Sequence, residues 1–481
     1  MNDVFPAENR PTRAAAPAQV AGLSAQMTLD RRLGPIDGAA IVVSNVIGGG
    51  IFFVPILVAR QVPSGWAMLF VWFFGGALAF AGAMAYAELA TLRPRAGGEY
   101  VYLREAYGRA AAFLTGWTSF IAGFSGAIAA GAVAFADYLG RFMPAAGDRT
   151  ALLTVPIPGL TLVLTPAAIV AIAVIAILSL LHLHASGRVV HNLLAAVKVT
   201  AIAAFVVIGF MFGAGSTANV QSVQTVANPA TGWALALVPV MFAYSGWNAA
   251  TYVAEEIRDP SRNVPIALAV GTLAVVTIYL LLNLLYLYAM PIAGLASLEG
   301  RLADTVAERL FGFVAGNVLA WFSLVSIAAG ISAMVWAGPR VYYAMARDGA
   351  FLPSLGRLHA RHRTPGRAIL AQGLWSSVLV LSGTLSELVE YTGFAVILFS
   401  AAAVTALFVL RLREPHATRP FRAWGYPFAP GFFVMASMMM VAYQIWNSPE
   451  MSFRGLVVMF AGLPIFWLFG RRTTVRVNDS T

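Results

Sequence analysis

The sequence predicts an all-α membrane protein with twelve transmembrane helices, and three observations carry that prediction. Of 481 residues, 59% are hydrophobic and only 11% charged, where a soluble chain carries roughly 25% charged residues. The apolar residues come in helix-length blocks of about 20, not in the alternating ten-residue segments of a barrel. The basic residues fall between the blocks with a strong preference for one side.

The elements follow in order. Residues 1–30 are rich in Ala, Pro, Arg and Gln and lack an apolar core, so they read as a flexible cytoplasmic tail and not as a signal peptide. Spans are expected at 36–59, 66–90, 110–140, 165–183, 189–212, 232–255, 264–290, 312–346, 368–385, 389–411, 427–447 and 454–470. Residues 31–213 thus hold a first set of five spans and 231–411 a second. Two more spans lie in 424–470, and 471–481 form a C-terminal tail. With the N-terminus inside, 24 arginines fall on the cytoplasmic side and 6 outside, which puts both termini in the cytoplasm. The same bias explains the net charge of +10 without a nucleic-acid partner. Cysteine is absent, which excludes a disulfide-linked partner subunit, a thiolate metal site and a cysteine nucleophile. The Arg/Ala-rich composition suggests a bacterial cell (inner) membrane.

Spans 1 and 6 carry the sharpest signal. Span 1 contains SNVIGGGIFFVP, with Gly48, Gly49 and Gly50 in mid-span and Pro55 one turn later. Each glycine costs a helix about 1 kcal/mol. Span 6 contains FAYSGWNAATYVAEE, with Ser245, Gly246 and Asn248 at its centre. Weak midpoints five spans apart point to an inverted-repeat transporter. Unwound backbone is tolerated in a membrane only where it lines a cavity. Its free N–H groups attract an anion and its free carbonyls a cation, a combination suited to a zwitterion such as an α-amino acid. The plainer reading of membrane glycines is close helix packing, and it suits Gly75, Gly82, Gly123 and Gly131.

At these residues the sequence resembles the amino acid–polyamine–organocation (APC) superfamily, in its L-type amino acid transporter branch. The IGGGIF of span 1, PRAGGEYVYLREAYG after span 2, FAYSGWNAATYVAEEIRDPSRNVP at span 6 and YYAMARDGAFLP after span 8 resemble the family's stretches in the same order. The resemblance implies the LeuT-type fold, a 5+5 inverted repeat with broken helices 1 and 6 and two peripheral helices. It further implies that the substrate carboxylate meets N–H groups at Gly48, Gly49 and Gly50. The amino group then meets carbonyls near Ile47 and at Phe242, Ala243 and Ser245. Phe242 matches the aromatic that caps the substrate as a gate. Asn248 matches the branch motif, as does Trp247, and Asn45 stands just ahead of the unwound segment. Ser245 replaces the glycine of many relatives, which suggests a tighter or more polar pocket.

Lys198 is the only lysine beside thirty arginines. It lies about nine residues into span 5, or roughly 14 Å deep, too far for its stem to snorkel. It is either a structural lysine satisfied by carbonyls or a group chosen because, unlike Arg, it can lose its proton. In the resembled family a lysine here stands where sodium-coupled relatives hold sodium, between spans 1 and 8. The ammonium is then expected to touch the span 1 carbonyls, and Ser326 matches a hydroxyl lining that site. Transport is then sodium-independent, either proton-coupled or by exchange.

Other residues are weighed more plainly. Glu255 and Glu256 read as a solvated helix end or as partners of arginines across an inner gate. Glu88 reads as a bond to loop backbone or to Arg93 or Arg95. His182, His184 and His191 cluster at the inner end of spans 4 and 5, but the two at i,i+2 do not share a helix face, so no metal site is expected, and Tyr391 reads as packing or as part of the outer vestibule. No phosphate-binding loop, catalytic triad or cofactor motif is present. The expected function is therefore a secondary transporter of neutral L-amino acids, not an enzyme, with protons as a further ligand and the bilayer as its surroundings. No carboxylate is evident at mid-depth, which weighs against the alternative, a cationic amino acid or polyamine transporter. A membrane amino-acid sensor or a channel are the readings from other classes.

Overall fold

A computed structural model describes residues 29–468, apart from 49, 158–159, 185–186, 227–228, 299–301 and 384. Gly49 and the two tails therefore lie outside the described residues. Helices dominate the described residues, which also include an antiparallel pairing of Leu153–Ile157 with Leu160–Leu164, its first strand exposed. Among the described residues, eight helices are long and apolar enough to cross a membrane. They are Gly65–Leu92, Arg109–Leu139, Pro166–Leu183, Arg188–Phe212, Pro260–Ala289, Ala315–Arg347, Gly393–Arg413 and Phe428–Asn447. These fall on the expected spans 2 to 5, 7, 8, 10 and 11. Span 9 holds a 17-residue helix, Gly366–Ser382, and span 12 holds Pro449–Phe460.

The two remaining spans are interrupted. In span 1 the helix Pro35–Val46 stops short, a 3-10 turn occupies Gly50–Phe52, and Val54–Ala59 resumes. In span 6 the helix Pro229–Ala243 gives way to turns, followed by a short helix, Ala249–Tyr252, and a 3-10 turn, Ala254–Glu256. The span 3 helix is also irregular, with a π turn over Ser119–Gly123.

Small residues let the helices meet closely. A Cβ on Gly75 would lie 2.5 Å from Val240, one on Gly82 2.8 Å from Trp247, and one on Gly131 3.1 Å from Ile331. Gly123 differs, because it belongs to the π turn and meets only its own Thr118 and Ser119. Trp247 packs edge-on against Tyr86 and Phe433, so its indole belongs to the core.

The end of the bundle that carries Glu255 and Glu256 is closed by ion pairs. Glu255 pairs with Arg347 at 3.0 Å and Glu256 with the buried Arg340 at 2.7 Å. These are the cross-element pairs, not a solvated helix end. Asp37 accepts from Arg188 and Asn192. Glu88 accepts from the backbone N–H of Ala423 and from Arg411, with Arg419 at 3.2 Å. Its arginines come from the far end of the helix Leu385–Arg413 and the loop after it, while Arg93 turns to Glu414.

Candidate functional site

The two interruptions face one another. A Cβ on Gly50 would lie 3.3 Å from Ala243 Cα, and one on Gly246 would lie 3.1 Å from Asn45 Cβ. Gly246 has φ +102°, a conformation in which a side chain is strained. The close approach and the positive φ together require glycine there. Gly48 has open space where a side chain would be. Tyr279 ties the two breaks together, its one buried hydroxyl hydrogen shared between Val46 O at 2.8 Å and Ala243 O at 3.1 Å.

A cavity of about 920 Å³ runs from these breaks toward the end of the bundle that carries Arg141 and Arg149. Asn45, Gly48, Gly50, Phe242, Ala243, Ser245, Gly246 and Asn248 line its deep end. It is thus large enough for a small organic ligand. Phe242 lies against the span 10 backbone at Gly393 and 6.5 Å from the ring of Phe53, another lining residue. At the mouth Arg141 is held by Asp304, Glu308 and Asn317, and Arg149 pairs with Asp137.

Lys198 approaches the span 1 break from behind. It is 1% exposed, and its Nζ donates to Ser44 O at 3.2 Å and to Ile47 O. The helix has ended there, so these carbonyls lack the amides that would otherwise bond them. A charge-assisted donor satisfies them and in turn offsets the burial of the ammonium. A second, small cavity of about 20 Å³ adjoins Lys198, Phe52, Ser323 and Ser326. It is roughly large enough for a single water-sized guest. The hydroxyls of Ser323 and Ser326 are buried and have no protein partner there.

Of the residues singled out from the sequence, Asn45, Gly48, Gly50, Phe242, Ala243, Ser245 and Asn248 share the large cavity, and Lys198 and Ser326 share the small one. Ile47 is buried, with its carbonyl turned to Lys198. The free carbonyls are fewer than expected. Ala243 O already accepts from Tyr279, and Phe242 O accepts from the Ser245 amide at 3.0 Å. Each keeps one lone pair for a ligand.

Two residues were missed. Tyr279 is one apolar-face tyrosine among many in span 7, and nothing local marks it. Glu99 lies in the GGEYVY stretch after span 2, where an acid reads as a loop residue, yet it lines the large cavity. A carboxylate was not expected at mid-depth, yet Glu99 stands in the cavity wall, so the ground for disfavouring a cationic substrate is lost. Gly97 and Gly98, with φ +113° and +51°, turn the chain inward and place Glu99 at the start of the helix Glu99–Tyr107.

Comparison with known proteins agrees with the sequence resemblance. The family described as Amino acid permease matches residues 33–468. The chain is 30% identical to the human b(0,+)-type amino acid transporter 1 over 447 residues, covering 92% of this chain and 88% of that one. It is also 30% identical to the human cystine/glutamate transporter, covering 92% and 86%. To the human large neutral amino acids transporter small subunit 2 it is 28% identical, covering 92% and 81%. Together with the paired helix breaks and the cavity between them, this shows that the chain belongs to the amino acid permease family of the APC superfamily.

Proposed function

We propose that the chain is a sodium-independent secondary transporter of neutral L-amino acids that works by alternating access. The single observation that carries the reading is the pair of opposed helix breaks at the blind end of a cavity, braced by Lys198. The Gly50 amide suits a carboxylate, and the Gly48 amide, which donates to Val46 O at 2.8 Å, can join it when that bond opens. The carbonyls of Phe242, Ala243 and Ser245 suit an ammonium, and Phe242 suits the role of a movable cap. The buried ammonium occupies the place of a coupling cation behind span 1, with Ser326 beside it, so no sodium is needed. The relatives named above as amino acid transporters support the substrate class.

In this reading the twelve spans form two inverted halves, 31–213 and 231–411, with 424–470 peripheral and both tails in the cytoplasm of a cell with an inner membrane. The end closed by Glu255–Arg347 and Glu256–Arg340 is then cytoplasmic, and the cavity opens outward. The test is uptake of labelled amino acids into proteoliposomes containing the purified full chain. The expected result is saturable, stereoselective uptake and counterflow that is the same in sodium and potassium buffers. Sodium-dependent uptake, or no flux of any amino acid in either direction, would refute it.

A further inference from the structure

Glu99 is unlike the other buried carboxylates of this protein. Asp37 has Arg188, Glu88 has Arg411 and Arg419, and Asp304 has Arg141. Among the described residues no lysine, arginine or histidine lies within ion-pair distance of Glu99, although it is only 7% exposed. Burying a lone carboxylate is costly, and the usual relief is a proton.

Its surroundings are polar but neutral. Oε1 accepts from Tyr86 Oη at 2.6 Å on span 2, from Asn248 Nδ2 at 2.8 Å on span 6, and from Ser400 Oγ at 3.3 Å on span 10. The titratable groups that face it are the phenols of Tyr86, Tyr102 and Tyr252, and a phenol is neutral at physiological pH. Oε1 takes all three bonds, and among the described residues Oε2 has no partner and is available to the cavity that Glu99 lines. Glu99 opens the helix Glu99–Tyr107 that lies between spans 2 and 3, and burial pushes its carboxyl up to about 7. Half-occupancy by a proton thus falls near physiological pH.

The link to substrate is Asn248. It lies two residues beyond Gly246, on the cavity wall, and gives one N–H to Glu99 and the other to Tyr252 Oη at 3.1 Å. Any movement of span 6 about its break changes the bonds to Glu99.

We propose that Glu99 is the proton-binding site of the transport cavity: its Oε2 takes a proton from cavity water, and that proton crosses with the amino acid. This rests on the transport reading above and adds the coupling ion and its carrier. The step is a simple balance in which carboxylate plus proton gives carboxylic acid when the cavity faces out. The proton returns to water when it faces in. Lys198, already bonded to two carbonyls, then stays as a fixed brace.

The experiment uses the full chain in proteoliposomes loaded with a pH-sensitive dye, with labelled amino acid outside. Protons and substrate entering are counted together. Wild type is expected to acidify the lumen in step with uptake, and uptake is expected to fall about tenfold from pH 6 to pH 8 as the carboxyl ionises. Glu99→Gln should abolish the proton signal per amino acid moved and flatten the pH profile. Tyr86→Phe removes a donor to the ionised form, so its profile should shift to higher pH, and this second variant tests the proposal should Glu99→Gln fail to fold. An unaltered proton-to-substrate ratio in Glu99→Gln overturns the proposal. So does a selective loss of diamino acid uptake with an unchanged pH profile, which would make Glu99 a subsite for a cationic side chain. If wild type shows no counterflow of any amino acid, the transport reading itself has failed.

Discussion

Replacing Lys198 with methionine removes its charge while keeping most of its length and bulk. The structure gives the ammonium two backbone acceptors, Ser44 O and Ile47 O, at the point where the span 1 helix ends. A hydrogen bond to a charged group contributes about 1.5–3 kcal/mol, so the low end for two is about 3 kcal/mol. That energy holds the unwound segment, and with it the Gly50 amide and the Gly48 amide now turned to Val46 O, in place for a ligand carboxylate. If half of it is expressed as pre-organisation, binding weakens by roughly 1.5 kcal/mol, or about tenfold. The assay is binding of a labelled neutral amino acid to detergent-purified full chain, with a melting curve on the same sample. The expected outcome is an affinity reduced about tenfold and a lower Tm. Substrate binding by Lys198→Met within about twofold of wild type, at an unchanged Tm, would refute the claim that Lys198 braces the site.

Further outcomes follow from the same geometry. Tyr279→Phe removes the hydroxyl that bridges Val46 O and Ala243 O, and about 1–2 kcal/mol of lost bonding should weaken substrate binding about five- to thirtyfold in the same assay. Gly246→Ala places a Cβ at 3.1 Å from Asn45 in a backbone conformation of φ +102°. A strain of about 1–3 kcal/mol should lower Tm measurably, whereas Gly383→Ala, also at positive φ but with nothing within 4 Å, should cost less. Arg340→Leu strands the carboxylate of Glu256 at the closed end of the bundle, a loss of about 3–5 kcal/mol for a buried pair. In the cysteine-free chain, a Thr251→Cys probe, at a site that is fully buried, should be alkylated faster in the Arg340→Leu background. Glu99 contributes a pH dependence of definite sign. Its carboxyl is raised by burial from 4.5 to about 7, so the folded state binds more protons than the unfolded chain in that window. Its stabilising contribution is present below about 4.5 and is lost as pH rises through about 7. The Tm of wild type relative to Glu99→Gln should therefore fall between pH 5 and pH 8.

The sequence makes local features legible and leaves pairings dark. The interruption of span 1 is visible because three consecutive glycines, then Pro55, remove helix propensity in an otherwise apolar run. The weak centre of span 6 shows for the same reason at Ser245–Gly246. Long apolar spans declare themselves by length, and the short helix of span 9 is found by the same signal. What joins these pieces is a matter of tertiary placement. Nothing near Tyr279 in sequence says that its hydroxyl reaches two carbonyls, 233 and 36 residues away. Glu88 illustrates a half-legible case, since its bond to loop backbone can be anticipated but its arginines come from residues 411 and 419. The burial of Lys198 follows from its depth in span 5, whereas the identity of its acceptors depends on how spans 1 and 5 pack. Glu99 was hidden by context, because a glutamate after two glycines looks like a solvated turn. Only the inward turn at Gly97 and Gly98, and the fit of Gly98 against the Tyr252 ring, bring it to the cavity.

The most direct test is an experimental structure of the full chain with a saturating neutral amino acid such as L-alanine. The account predicts the ligand carboxylate within hydrogen-bond distance of the Gly48 and Gly50 amides and its ammonium at the carbonyls of the span 6 break, beneath Phe242. A ligand seated elsewhere in the cavity, or held there by side chains alone while both breaks stay empty, would contradict it.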